Sequence, residues 1–174
     1  MNFFRFSFQD WHANKGNIKG RSFLLLFRVA NFLSSRKAYY FIGLPYLFFY
    51  NVFVQWMFNL EIPWNLKIGK NLSLYHGQTL IINNKTIIGK NCTLRHGTTI
   101  GTKKLIDGSF SAGPVLGDNV DVGCNVCIIG GIKIGNNVII GAGSIVIKDI
   151  PSNAIVAGNP AKIIKYINKL AAHL

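Results

Sequence analysis

The sequence predicts a mainly β protein: a parallel β-helix of hexapeptide repeats, preceded by a helical segment and closed by a C-terminal helix. Three observations indicate this fold class. Aliphatic residues recur every six positions through the body of the chain, Gly follows many of them, and most aromatic residues precede the repeats. At 174 residues the chain is long enough for one domain with a sizeable core.

The repeat extends from residue 62 to residue 146. Aliphatic residues fill thirteen positions in two runs: Ile62, Ile68, Leu74, Leu80, Ile88, Leu94 and Ile100, then Leu116, Val122, Ile128, Ile134, Ile140 and Val146. A period of six fits neither an amphipathic helix nor simple strand alternation. It fits a coil with three short flat sides, whose corners are turned by Gly or Asn. We therefore expect these aliphatic side chains to point into the coil.

Two steps in the repeat are irregular. The step from Leu80 to Ile88 is eight residues, which predicts a coil two residues too long. The step from Ile100 to Leu116 is sixteen residues, which predicts a loop leaving the coil at about 102–115. Loops on a rigid scaffold often carry function.

Composition divides the chain into three regions. Twelve of the thirteen Phe precede residue 60, whereas fifteen of the eighteen Gly follow it. We predict a helical, aromatic-rich segment at 1–60, the β-helix at 61–160 and a C-terminal helix at 161–174. Apolar residues at helical spacing support that last helix: Ile163, Ile164, Ile167, Leu170 and Leu174.

The net charge of +13 indicates an anionic partner. Nucleic acid is disfavoured, because the basic residues are scattered and no nucleic-acid-binding motif is present. The stretch 20–35 reads as a basic amphipathic helix, and the uncharged run 38–60 follows Arg36 and Lys37. Polar residues and a proline interrupt that run, which favours peripheral contact with an anionic membrane over a span. The alternative is that both helices pack on the body or on a neighbouring subunit.

The N-terminus lacks the pattern of a secretory signal, and the three cysteines do not form a disulfide or zinc framework. Cys124 and Cys127 form a CxxC without a second pair, so we expect no metal and a reducing compartment. The expected location is the cytoplasm, in contact with the inner face of the cell membrane.

A short motif is nearly repeated within the coil. LYHGQTL, containing His76, returns as LRHGTTI, containing His96, and Glu61, the only glutamate, stands fifteen residues ahead of His76. An imidazole can accept a hydroxyl proton near neutral pH, and a carboxylate bonded to its other nitrogen fixes the tautomer. A surface histidine and a helix-end charge are the plain alternatives.

EIPWNLKIGKNLSLYHG, TTIGTKK and IGAGSIVIKDIPSNAIVAGNPAK together resemble the hexapeptide-repeat acyltransferases, in the serine acetyltransferase and colanic-acid-type O-acetyltransferase branch. The resemblance covers roughly residues 61–165. It implies a left-handed β-helix, a homotrimer and acetyl-CoA bound in the groove between adjacent prisms. It also implies that His76 is the general base and that Glu61, in place of the family's Asp, is its partner.

The resemblance assigns weaker roles elsewhere. His96 stands where serine acetyltransferases usually have Gln, and its implied role is an acceptor contact. Gly101 and Thr102 match a turn near the thioester end of CoA. Cys124 and Ala142 match small residues along the pantetheine arm, and Lys162 matches a basic residue near the CoA phosphates.

The sequence departs from the serine acetyltransferase pattern in its loop. That pattern ends the loop with Arg-His-Pro, whereas this chain has Ala112, Gly113 and Pro114. Without the Arg and His, the loop offers no clamp for an amino-acid carboxylate. We therefore expect an acetyl-CoA-dependent O-acetyltransferase acting on a sugar hydroxyl in surface-polysaccharide biosynthesis. Serine O-acetylation is the alternative. A metal site like that of the γ-carbonic anhydrases is disfavoured, because it would need a third histidine in the body. A non-catalytic scaffold is a further alternative.

Overall fold

The structure is a computed structural model that describes residues 2–35 and 37–167. It is a parallel β-solenoid of about five turns, with helices at its N-terminal end. The helices are α1 (Phe3–Ser7), α2 (Ile18–Ser34), α3 (Lys37–Tyr50) and a π-helical segment (Asn51–Met57). The strands are β1 (Leu60–Glu61), β2 (Lys67–Ile68), β3 (Ser73–Tyr75), β4 (Leu80–Ile82), β5 (Ile87–Ile88), β6 (Thr93–Arg95), β7 (Thr99–Gly101), β8 (Val115–Leu116), β9 (Asp121–Val122), β10 (Cys127–Ile129), β11 (Lys133–Ile134), β12 (Ile139–Ile140), β13 (Ile145–Val146), β14 (Ala154–Ala157) and β15 (Lys162–Tyr166).

The strands form the three flat sides predicted from the repeat. The first sheet has the order β1-β4-β7-β10-β13, the second β11-β8-β5-β2 and the third β15-β14-β12-β9-β6-β3. Neighbouring strands within the coils pair in parallel, and the step between coils is 18 residues where Ile128 pairs with Val146. Twelve of the thirteen repeat positions are buried, and Ile68 is partly buried against the same core. The predicted inward orientation is confirmed.

One corner of the prism is held by a ladder of asparagines. Asn71, Asn91, Asn119, Asn137 and Asn153 stack above one another with φ between 55 and 61°. Each side-chain amide donates to the Oδ1 of the next, at 2.8–3.0 Å. Asn tolerates this left-handed conformation better than other side chains do. The corner positions of the repeat therefore have both a backbone and a side-chain reason to be Asn.

The two extra residues lie at the His76 corner, slightly earlier than the sequence spacing suggested. Ile82, and not Leu80, pairs with Ile100. The repeat therefore steps eight residues from Leu74 to Ile82 and six from there to Ile88. Leu80 and Ile82 are both buried, so the sequence pattern could not distinguish which of them continues the repeat.

The N-terminal segment caps the first coil. Arg28 and Asp10 form a buried ion pair at 2.7 Å, and both also bond to coil backbone. Arg28 donates to the carbonyls of Ile68 and Gly69, while Asp10 accepts from the amide of Leu72. These contacts satisfy backbone groups at an end of the solenoid that no further coil covers.

The capping removes one basic residue, Arg28, from the surface that the sequence predicts for membrane contact. Arg28 is buried, and the Arg21 guanidinium lies 4.7 Å from the Trp11 ring centroid. The apolar face of α2 packs inward through Phe23, Leu24 and Phe27. α2 is amphipathic, as the sequence predicts, and its apolar side faces the protein core.

The segment after α2 keeps an exposed apolar surface. Large apolar side chains of α3 and the π-helical segment are exposed, including Phe41, Ile42, Phe48, Trp56 and Met57. Within residues 2–35 and 37–167, no helix combines the length and hydropathy needed to cross a bilayer.

The chain after β14 forms a strand where a helix was predicted. Lys162–Tyr166 pairs antiparallel with β14 and covers its open edge. Ile163 and Ile164 are exposed, because the backbone hydrogen bonds of the edge decide this conformation and not a buried apolar face. Leu170 and Leu174 lie outside the described residues.

Candidate active site

One corner of the prism, between the third and first sheets, gathers four of the predicted site residues. His76, His96, Cys124 and Ala142 occupy it in successive coils, and we call it the histidine edge. The Asn125 amide donates to the His96 carbonyl at 3.0 Å, and the Gly143 amide donates to the Cys124 carbonyl at 2.9 Å. The repeat therefore stacks the two histidines and the two small residues in one row.

The His76 corner has an unusual backbone. His76 has φ 63°, followed by Gly77 at 50° and Thr79 at 53°. Three residues of left-handed conformation in four positions turn the enlarged corner outward and leave the His76 side chain exposed. The imidazole makes no hydrogen bond within the described part of the chain, but it lies edge-on to the His96 ring, with centroids 5.8 Å apart.

His96 is held more tightly than His76. Its side chain is half-buried, and its Nδ1 is buried without a hydrogen-bond partner among the described residues. The next residue, Gly97, has φ 69°, and a Cβ there would lie 2.0 Å from the Asn125 Oδ1. The backbone therefore requires glycine directly after His96. A buried nitrogen without a partner marks a place where a ligand or a second chain is expected to supply one.

A pocket of about 380 Å³ opens beside His76. Its lining combines the end of β3 with the loop that precedes α2 and the first turn of α2: Lys15, Gly16, Asn17, Lys19, Tyr75 and His76. No acidic side chain lines it. The residues contributed by the N-terminal segment could not be predicted from the sequence, because nothing in the repeat pattern reveals what caps the coil.

Glu61 lies away from His76 within one protomer. It is exposed on the outer face of the first sheet, where it pairs with Ile81. It lines a pocket of about 480 Å³ at the corner between the first and second sheets, together with Gln55, Trp64 and Asn83. No hydrogen bond or ion pair joins Glu61 to His76 among the described residues.

The remaining predicted residues lie away from the histidine edge. Gly101 ends β7 at the corner between the first and second sheets, and Thr102 begins the loop that returns at Val115. We call this corner, with Glu61 and the loop 102–114, the loop edge. Lys162 is exposed at the far end of the solenoid, where it lines a pocket with Lys148 and Pro160. The first sheet thus separates the histidine edge from the loop edge.

Two of the three cysteines are poor nucleophiles. Burial raises the pKa of the Cys92 thiol and of the Cys127 thiol, which disfavours the reactive thiolate. Cys124 is half-buried on the histidine edge. In the described ranges, no three His, Cys, Asp or Glu side chains cluster as a metal site.

Comparison with known proteins identifies the family. No family model matches the chain. The chain is 36% identical over 159 residues to a putative colanic acid biosynthesis acetyltransferase, WcaB, of Escherichia coli K12, covering 89% of this chain and 96% of the relative. The chain belongs to the hexapeptide-repeat acyltransferases. It is an acetyltransferase, and it is also 38% identical over 116 residues to serine acetyltransferase 4 of Arabidopsis thaliana, covering 67% of this chain and 32% of that protein.

Solved structures agree with this family. The soybean serine acetyltransferase apoenzyme superposes with a TM-score of 0.76 at 27% identity, over 93% of this chain and 69% of that chain. A serine acetyltransferase in complex with CoA has a TM-score of 0.75 over 93% of this chain and 69% of that chain, but at 21% identity it shows the fold alone. The solenoid is therefore the left-handed β-helix of these acyltransferases, as predicted.

Proposed function

We propose that this acetyltransferase moves the acetyl group of acetyl-CoA to a sugar hydroxyl during assembly of a surface polysaccharide. The observation that carries the proposal is the exposed His76 imidazole, set beside a pocket by a corner with two added residues. The relative covered almost end to end is named for colanic acid biosynthesis, which supports a glycan acceptor. The absence of Arg and His at 112–114 supports it further, because an amino-acid carboxylate then lacks its clamp.

The proposed chemistry is a direct transfer. His76 accepts the proton of the acceptor hydroxyl as its oxygen attacks the thioester carbonyl. The carbon–sulfur bond then breaks, and the departing thiolate of CoA takes the proton from the imidazolium. Backbone amides near Gly101 and Thr102 would stabilise the oxyanion that forms in between.

The division of these residues between two edges argues for an oligomer. In one protomer the first sheet separates His76 from Gly101 and from Glu61. A homotrimer that sets the histidine edge of one protomer against the loop edge of the next would reunite them. Glu61 of a neighbouring protomer would then orient an imidazole, and the unpartnered His96 Nδ1 would lie where a neighbour or acceptor can reach it. Cys124 and Ala142 would border the pantetheine arm, and Lys162 the CoA phosphates.

Acetyl transfer and assembly can be tested separately. The protein is incubated with acetyl-CoA and a panel of hydroxyl acceptors, and products are read by mass spectrometry. We expect a mass increase of one acetyl group on sugars, together with CoA release. Light scattering should give three times the chain mass. A monomer under every condition would contradict the shared site while leaving the family unaffected.

Serine is the second candidate acceptor, because solved serine acetyltransferases share the fold. One of them, from Neisseria gonorrhoeae in complex with serine, has a TM-score of 0.72 at 26% identity. Including L-serine in the panel decides between the two. Faster acetylation of serine than of any sugar would overturn the glycan proposal and keep the acetyltransferase.

We further propose that the protein works in the cytoplasm against the inner face of the membrane, with an anionic bilayer contacting α3. Residues 2–60 contain seven Lys or Arg and one acidic residue, Asp10, which the ion pair with Arg28 neutralises. Exposed apolar side chains in a segment of net positive charge fit anionic lipid, whereas two copies of that segment would repel each other.

Vesicle sedimentation tests the membrane contact. Wild-type protein should sediment with phosphatidylserine vesicles, and raised salt should weaken the binding. Phe41→Ser with Phe48→Ser should bind less, while Ile106→Ser, which alters a still more exposed apolar side chain of the loop, should bind normally. Wild-type protein that ignores anionic vesicles would refute this contact and leave the acetyltransferase proposal standing.

A further inference from the structure

Two lysines of the N-terminal cap lie at the mouth of the pocket that His76 lines. Lys15 and Lys19 are both exposed, and neither forms an ion pair within the part of the chain that the structure describes. The Lys19 ammonium lies 5.7 Å from the Phe23 ring centroid, and this cation–π contact favours the side of α2 on which Phe23 lies. The pocket thus carries two free positive charges beside the proposed general base.

The backbone that carries these lysines is fixed to the strand that ends at His76. Asn14 donates to the Leu72 carbonyl and accepts from the Leu74 amide, at 2.8 and 2.9 Å. Asn17 donates to the Leu74 carbonyl at 2.7 Å and caps α2 by accepting from the Gly20 amide at 2.8 Å. The backbone on either side of Asn17, which carries the two lysines, is therefore held in place before a ligand binds. Little backbone conformational entropy is lost on binding.

The approach of the cap to this strand is close. A Cβ at Gly20 would lie 2.8 Å from the Leu74 carbonyl oxygen, so a larger residue would push α2 away. α2 also begins at this point, and the positive end of its dipole adds to the field of the lysines. In the cap, the one acidic residue, Asp10, is buried in its ion pair with Arg28.

We infer that Lys15 and Lys19 form an anion subsite that selects acceptors with a carboxylate or phosphate near the hydroxyl to be acetylated. This inference rests on the proposed function, because it takes the pocket beside His76 as the acceptor site. A volume of about 380 Å³ is within the range of small-molecule sites. A uronic acid supplies the charge as a carboxylate and a sugar phosphate supplies it as a phosphoryl group, and both classes meet the same two ammonium groups.

Matched acceptors test the subsite in the full-length protein. Glucuronate and glucose differ by one carboxylate, and glucose 1-phosphate places the charge at another carbon. Lys15→Gln with Lys19→Gln should lower kcat/KM for the charged acceptors about tenfold, mainly through KM, and change that for glucose less than about twofold. Lys70→Gln with Lys90→Gln removes the same charge from another corner and should leave all three values unchanged. A fall with only one charged acceptor assigns the source as carboxylate or phosphate.

Direct binding gives a readout that does not require turnover. Glucose, glucuronate and glucose 1-phosphate are each titrated without CoA, and the His76 imidazole NMR signal is identified by its loss in His76→Ala. The signal should shift saturably in wild type and in the Lys70 and Lys90 variant, with affinity about tenfold weaker in the Lys15 and Lys19 variant. Equal affinity for glucose and glucuronate, or unchanged anion affinity without the two lysines, would overturn the subsite. Acetyl transfer to neutral acceptors would still report on the proposed function.

Discussion

The two His-Gly corners share a dipeptide but differ in length and exposure. Eight residues separate Leu74 from Ile82 around His76, whereas six separate Leu94 from Ile100 around His96. His76 has a positive φ and an exposed ring. His96 lacks the positive φ, its ring is half-buried, and Gly97 takes the left-handed position instead. Two added residues therefore turn one copy of the same motif towards solvent and leave the other as its neighbour.

The difference between the two corners indicates how one position of a repeat can become a catalytic position. The backbone of the regular corner is held by the Asn125 amide, which donates to the His96 carbonyl. The backbone of the enlarged corner is held by two bonds: the Thr79 amide donates to the Asn59 carbonyl at 3.1 Å, and the Gln78 carbonyl accepts from the Gly97 amide at 3.0 Å. Its backbone is still anchored, while its imidazole is free to meet a substrate.

Deleting Gln78 and Thr79 would make the His76 corner the length of the His96 corner. We expect acetyl transfer to fall at least about a hundredfold, because the imidazole would lose its outward position by more than catalysis tolerates. Circular dichroism and gel filtration should show an intact solenoid, because regular corners of the repeat have this length. Retained transfer in a folded deletion variant would show that the enlargement has no catalytic purpose.

Substitutions of His96 test whether the regular corner has a smaller role in catalysis than the enlarged corner. His96→Ala should reduce kcat/KM about tenfold, since it removes the support and polar contact beside His76 but leaves the base. His96→Gln, which restores the residue usual in the resembling serine acetyltransferases, should recover most of that loss. Steady-state kinetics with varied acceptor measures both. A loss on His96→Ala equal to that of His76→Ala would make the two corners equivalent and the comparison invalid.

Glu61→Gln should have the smallest effect, about fivefold on kcat, because the imidazole remains and only its orientation and charge support weaken. CoA affinity should not change. Oligomeric state is the control here: if the proposed trimer forms, a variant that dissociates would lose activity for a different reason, so light scattering accompanies the assay. An unaffected rate would mean that Glu61 is only a surface charge on the first sheet.

Much of the fold could be predicted because the repeat is a local signal. Each inward position, from Ile62 to Val146, is set by its own side chain and by the corner residue that follows. The C-terminal strand could not be predicted, since Ile163 and Ile164 suggest a helix until the open edge of β14 is known. The structural role of Arg28 could not be predicted either. Its partner Asp10 is distant in sequence, and no sequence pattern reveals bonds to backbone carbonyls of the coil.

The candidate site was predictable residue by residue, but its assembly was not. Spacing and resemblance selected His76, His96 and Glu61, and stacking places the two histidines together. Spacing could not show that Glu61 lies across the first sheet, because that depends on where the coil begins. Lys15 and Lys19 could not be predicted as site residues, since only the folded cap brings them to His76.

The central claim is that His76 removes the acceptor proton. Single-turnover acetyl transfer from bound acetyl-CoA, compared between wild type and His76→Ala, tests it most directly. We predict a rate at least about a hundredfold lower in His76→Ala, with CoA affinity unchanged, because only general-base catalysis is removed. A near-normal rate in His76→Ala, with the protein folded and CoA bound, would contradict the claim.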